Sequence, residues 1–138
     1  MKLPLRLKII TLLSFFLLYL TGLMSWVLTH WLMNPGLIQD EPSKWRMTWL
    51  QSHSVVGLFF FSLFGYLLHA HIRPAWTRRK KRLSGGVLTC LILILLVSVP
   101  GLFYVTSELL KPWIIGLHTY LGLALIFFFA IHYVSKSE

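Results

Sequence analysis

The sequence predicts an all-α integral membrane protein, a four-helix bundle built from two related helical hairpins. Three observations carry that expectation. Of the 138 residues, 57% are hydrophobic and only 12% charged, where a soluble domain carries about 25% charged residues. Four uncharged stretches, 9–39, 47–72, 83–107 and 112–135, each hold an apolar run of the roughly 20 residues needed to cross a bilayer. The odd and even stretches also carry recurring short motifs, described below.

Helix one is expected over 9–31, after Lys2, Arg6 and Lys8. Those cations before an apolar run resemble a secretory signal. The run is too long for a signal core, however, and no small-x-small cleavage site follows it, so it is kept as a helix. Pro35, Gly36 and Pro42 break the loop that follows. Helix two is expected over 48–72 and ended by Pro74, helix three over 84–106, and helix four over 112–134. In helix three, Pro100 removes a backbone donor and is expected to kink the helix. Cys90 is the one cysteine of the chain; alone it makes no intrachain disulfide, and a packing role is expected. Almost nothing is left over for a soluble domain, so 1–138 reads as one membrane domain.

Lysine and arginine set the orientation. Lys2, Arg6 and Lys8 precede helix one, "RPAWTRRKKR" (73–82) joins helices two and three, and Lys136 follows helix four. The other two loops are poorer: Lys44 and Arg46 are offset by Asp40 and Glu41, and Lys111 by Glu108. Both termini and the basic loop are therefore expected on the cytoplasmic side, most simply of a bacterial inner membrane. Topology accounts for the net charge of +9. A basic loop against a membrane helix meets anionic lipid, and no nucleic-acid partner is expected.

The hairpins look like a parallel repeat. Helix one carries "TGLMSW" (21–26) and helix three "PGLFYV" (100–105), while helices two and four each carry His-x-x-x-Gly, at His53–Gly57 and His118–Gly122. The chain has six histidines: His30, His53, His69, His71, His118 and His132. His118 and His132 are fourteen residues apart, which returns a helix to within about 40° of the same face and separates the rings by about 21 Å along the axis. That suits two cofactors stacked across the membrane. It does not suit one metal ion, whose ligands must converge within a few ångströms.

His53 matches His118 in depth, and two imidazoles from facing helices around a planar ring make a six-coordinate b-type haem. Gly22, Gly57, Gly101 and Gly122 would then make room for a porphyrin; the plainer reading is that small residues let helices pack closely. For the inner level His132 is one ligand and His71 or His69 the other. His71 is eighteen residues after His53, five full turns on, and returns to its face, whereas His69 faces about 160° away. His69 lies closer in depth to His132, but a small error in depth is easier to absorb than a reversed face, so His71 is expected, unless a π-bulge near Gly65 rotates the helix end in favour of His69. His30 reads as an interface residue beside Trp31, with contact to a haem propionate or quinol proton transfer as the alternatives. Trp26, His30, Trp45 and Trp49 read as an aromatic belt before they read as a quinone pocket. Arg46, Lys44 and Lys111 read as interface residues before they read as propionate partners.

"LTGLMSW" in helix one, "HSVVGLFFF" in helix two and "HTYLGLALIFFFAIH" in helix four resemble the small di-haem membrane cytochrome b subunits of formate dehydrogenases, nickel-iron hydrogenases and thiosulfate reductases, and related short cytochrome b domains. The resemblance covers most of the chain. It implies two b haems, the outer held by His53 and His118 and the inner by His132. Many such subunits take the second inner ligand from a histidine at the start of helix one. Here that segment reads "LPLRLKIIT", with Lys8 near the expected place. Either His71 or His69 supplies that ligand, or the inner haem is absent.

The function expected is electron transfer between the quinone pool and redox protein subunits, as part of an oxidoreductase complex rather than as an enzyme alone. Its four acidic residues all lie outside the spans, which argues against paired-carboxylate catalysis, and no Gly-rich phosphate loop is present. The alternatives are a haem-free membrane anchor or assembly subunit, and a transporter whose histidines relay protons or bind a metal. A transporter would converge its ligands near the midplane, whereas these histidines fall at two depths.

Overall fold

A computed structural model of the chain describes residues 4–32, 44–78 and 81–135. Pro35, Gly36, Asp40, Glu41 and Pro42, together with Lys2, Arg79, Lys80 and Lys136, lie outside the described residues. Among those described the protein is helical apart from short connections and holds no strand. Helix α1 spans Leu5–Val27 and runs into a π-helical turn at Leu28–Leu32. Helix α2 spans Lys44–Leu67, followed by a second π turn at Leu68–Ile72 and the short helix α3, Arg73–Thr77. Helix α4 spans Arg82–Tyr104 and α5 spans Leu110–Val134. Four of these helical stretches are long and apolar enough to cross a membrane, and the chain is an integral membrane protein.

These segments are helical because in hydrocarbon a helix alone satisfies its own backbone. Their hydroxyls follow the same rule by donating back to the preceding turn: Thr11 to the Leu7 carbonyl at 2.8 Å, Ser54 to Leu50 at 3.0 Å, Ser62 to Leu58 at 3.1 Å and Thr89 to Gly85 at 2.7 Å. Large apolar side chains such as Leu58, Val97, Phe103 and Phe127 are about 70% exposed. A water-soluble protein does not tolerate that on every helix; in a bilayer those surfaces meet acyl chains.

The helices reach further than the apolar runs do. All four start two to four residues before the expected positions, taking in Arg6 and Lys8, Lys44 and Arg46, Arg82, and Lys111, since long cationic side chains keep their heads in water while the helix continues beneath them. Pro74 does not end helix two. The π turn restarts the hydrogen-bond register just before it, so Pro74 falls in the first turn of α3, where a missing donor costs nothing. Pro100 lies inside α4, which continues to Tyr104. Cys90, expected to pack inside, is exposed; it stands about 200° around α4 from the buried Leu88.

The chain divides into two compact units, Lys2–Tyr66 and Leu67–Glu138, each described by itself. In the first, α1 and α2 run antiparallel: the rings of Phe15 and Phe60 are 6.2 Å apart, Leu18 lies against Gly57 and Gly22 against His53. In the second, α4 and α5 pair from Ser84 beside His132 up to Gly101 beside Ile114. Lys81 stands in the left-handed region at φ 48° and starts α4. Its Nζ donates to the carbonyls of His132 and Tyr133 at 3.0 and 3.4 Å, placing a cation on the negative end of the α5 dipole. Next to it, Arg82 Nε donates to the Trp76 carbonyl at 2.9 Å while its guanidinium lies 5.6 Å over the Trp76 ring.

With Thr77 and Ser107 at opposite ends of α4, a membrane-impermeant maleimide applied to intact cells is expected to label Ser107→Cys, and to label Thr77→Cys only after permeabilisation, both in a Cys90→Ser background. The reverse pattern refutes the orientation read from the cations.

Candidate functional site

The histidines stand where the pairs of helices meet. In the first unit α2 brings His53 against α1. Its Nδ1 lies 3.1 Å from the Leu18 carbonyl oxygen and 3.2 Å from Thr21 Oγ1. A carbonyl can only accept, so Nδ1 carries the proton, and the lone pair of the neutral ring is on Nε2. Gly22 makes the approach possible: a Cβ there would stand 2.9 Å from the ring's Cε1. Thr21 is only 6% exposed, so this polar contact is sealed inside the hairpin.

In the second unit α5 holds two histidines at two levels, and α4 supplies a serine at each. Ser98 Oγ lies 2.6 Å from His118 Nδ1, and Ser98 too is buried, 8% exposed. Ser84 Oγ lies 3.2 Å from His132 Nδ1 and 3.3 Å from Ser135 Oγ. A Cβ on Gly85 would reach 3.4 Å from His132 Cε1, so Gly85 backs this ring as Gly22 backs His53.

His71 and His69 both fall in the π turn at Leu68–Ile72. The turn begins past Gly65, so its register shift falls on the histidines themselves rather than above them. His69 is exposed and His71 half-buried. His30 is exposed and engaged with its own helix: Nδ1 lies 3.0 Å from the Trp26 carbonyl oxygen and the two rings stack at 5.1 Å. That places it with Trp26 at the helix end. Trp45 is exposed and Trp49 half-buried. Among the described residues no three His, Cys, Asp or Glu side chains come together; whatever the histidines hold, they hold singly or in pairs.

Of the glycines singled out by sequence, Gly22 alone touches a histidine. Gly57 meets Leu18, Gly101 meets Ile114, and Gly122 has nothing within 4 Å of its Cβ position. The sequence reading missed Thr21, Ser84, Gly85 and Ser98. The signal was there: Thr21-Gly22 and Ser84-Gly85 are the same dipeptide type, and Ser84 and Ser98 are fourteen residues apart, the spacing of His118 and His132.

Compared with known protein families, curated proteins and solved structures, the chain matches none.

Because the His53 ring is held at Nδ1, it cannot swing aside for a new Cβ. Gly22→Ala is expected to destabilise the protein by about 1–3 kcal/mol through overpacking, while Gly122→Ala leaves stability unchanged or slightly raised. Apparent melting temperatures in detergent check this; equal values for the two variants refute the close approach.

Proposed function

We propose that this chain is a b-type haem electron-transfer subunit, passing electrons between the quinone pool and a redox partner protein across a bacterial inner membrane, with both termini cytoplasmic. The observation that carries the reading is the set of three intramembrane histidines, two of them about four turns apart on one helix, each meeting the neighbouring helix through Nδ1. An imidazole anchored at Nδ1 has its lone pair at Nε2, the usual state of an iron-ligating histidine. Intramembrane ionisable groups are costly and mark functional sites.

The residues fit a haem. The candidate ligands are all imidazoles, and at His53 and His132 a glycine leaves room for the ring edge. His53 and His118 would hold the outer haem. His132 would hold the inner one with His71, which is half-buried where His69 is exposed; His69 is the alternative. When bound, the haems supply one-electron chemistry; the chain supplies ligands, an apolar surround and nearby charge. The Lys81 ammonium, held at the carbonyls of His132 and Tyr133, sets positive charge beside the inner level and favours an added electron there. Arg82 and Lys81 also face the anionic headgroup layer expected on that side, and with so little chain outside the helices, further cofactors would reside in partner subunits.

Protein purified from haem-replete membranes should be red, show the reduced-minus-oxidised bands of b-type haem, and carry two haems per chain. His118→Ala should remove one, and His118→Ala with His132→Ala both. A colourless protein refutes the proposal in favour of a haem-free anchor or assembly subunit. A His53→Ala variant that keeps both haems overturns the outer pairing.

A further inference from the structure

We infer that Thr21, Ser98 and Ser84 are positioning residues, each accepting the Nδ1 proton of its histidine and so fixing Nε2 as the atom presented to a ligand. The inference rests on the haem reading for its purpose, but its geometry stands without it.

A hydroxyl has one proton and can be either partner of an imidazole, so the direction of each contact has to be settled by where that proton goes. For Thr21 the proton is committed to its own helix: Oγ1 donates to the Leu17 and Leu18 carbonyls at 2.8 and 3.0 Å. Towards His53 it can only accept. Ser98 Oγ donates to the Leu95 carbonyl at 2.6 Å, so it too accepts, from His118. The third case takes one more link. Ser135 Oγ donates to the His132 carbonyl at 3.1 Å; it therefore accepts from Ser84, and Ser84, having donated, accepts from His132. The result is a closed circuit: His132 Nδ1–H to Ser84, Ser84 to Ser135, and Ser135 back to the carbonyl of His132 itself.

The same solution appears three times, at two depths, on two hairpins. In hydrocarbon an unpaired ring N–H is costly, so any partner would serve simple packing. Packing alone does not require the same nitrogen to be protonated each time. A metal ligand does, because the opposite nitrogen must bear the lone pair and the hydrogen bond raises its basicity. A more basic ligand favours the ferric state, so these hydroxyls hold a bound haem at a lower potential than the bare imidazole would.

The test begins with haem-free, ring-15N-labelled protein in detergent micelles, where the nitrogen shifts distinguish a protonated from a bare ring nitrogen. His53, His118 and His132 should all show protonated Nδ1. Ser98→Ala and Ser84→Ala should each release the tautomer of its own histidine only, Ser135→Ala should act on His132 alone, and Thr21→Val should leave the His53 proton on Nδ1, held by the Leu18 carbonyl, while weakening the hold on the ring. Thr21→Ser should behave as the unmodified chain, which separates loss of the hydroxyl from a folding defect. On loading with haem, each hydroxyl-less variant should bind its haem about 10- to 100-fold more weakly and with a midpoint potential shifted upward. Bare Nδ1 in the unmodified chain, or tautomers and potentials indifferent to these substitutions, overturns the inference. Absence of any haem binding refutes the proposed function instead, and the nitrogen shifts still decide this one.

Discussion

An imidazole in hydrocarbon must find a partner for its N–H, and for His53, His118 and His132 the partner comes from the neighbouring helix. That requirement sets how the helices of each hairpin meet. Lipid tails are as apolar as leucine, so apolar contacts do little to choose one register over another. Slide α1 by one residue along α2, and Phe15 can find another ring, but His53 loses Thr21 and the Leu18 carbonyl together. The polar contact that serves the site is also the contact that specifies the pairing.

The two hairpins reach this arrangement by different routes. In the first, threonine and glycine sit side by side, and the glycine lets the ring in while the threonine holds it. In the second, the position matching Thr21 is Pro100, which has no hydroxyl. Ser98 takes the role from two residues earlier, and Gly101 backs Ile114 instead. At the other end of α4 the side-by-side form returns as Ser84-Gly85. That end also carries the Lys81 cation, so the two levels of α5 differ in charge although their histidines are held alike.

Most of the architecture was legible in the sequence because it follows from composition. Apolar runs between charges locate the spans but fall short of the helix starts, which continue beneath the flanking cations, and Pro74 reads as a helix stop unless a π turn precedes it, which nothing in "LHAHIRP" announces. The histidines stood out because ionisable groups are rare in such runs. Their hydroxyl partners did not, since serine and threonine in membrane helices commonly satisfy themselves on the preceding turn, as Ser54 and Ser62 do. Telling the two kinds apart needed the facing helix. Cys90 misled in the opposite direction, because in a chain with so small an interior, apolar character no longer implies the inside.

The π turn at Leu68–Ile72 has a wider implication. Such a turn accommodates one residue more than an α-helix would. Above and below it the surface stripes of the helix are out of phase by about 100°. A sequence stripe read straight through residues 68–72 at the ordinary helical step therefore points to the wrong side of the segment beyond it.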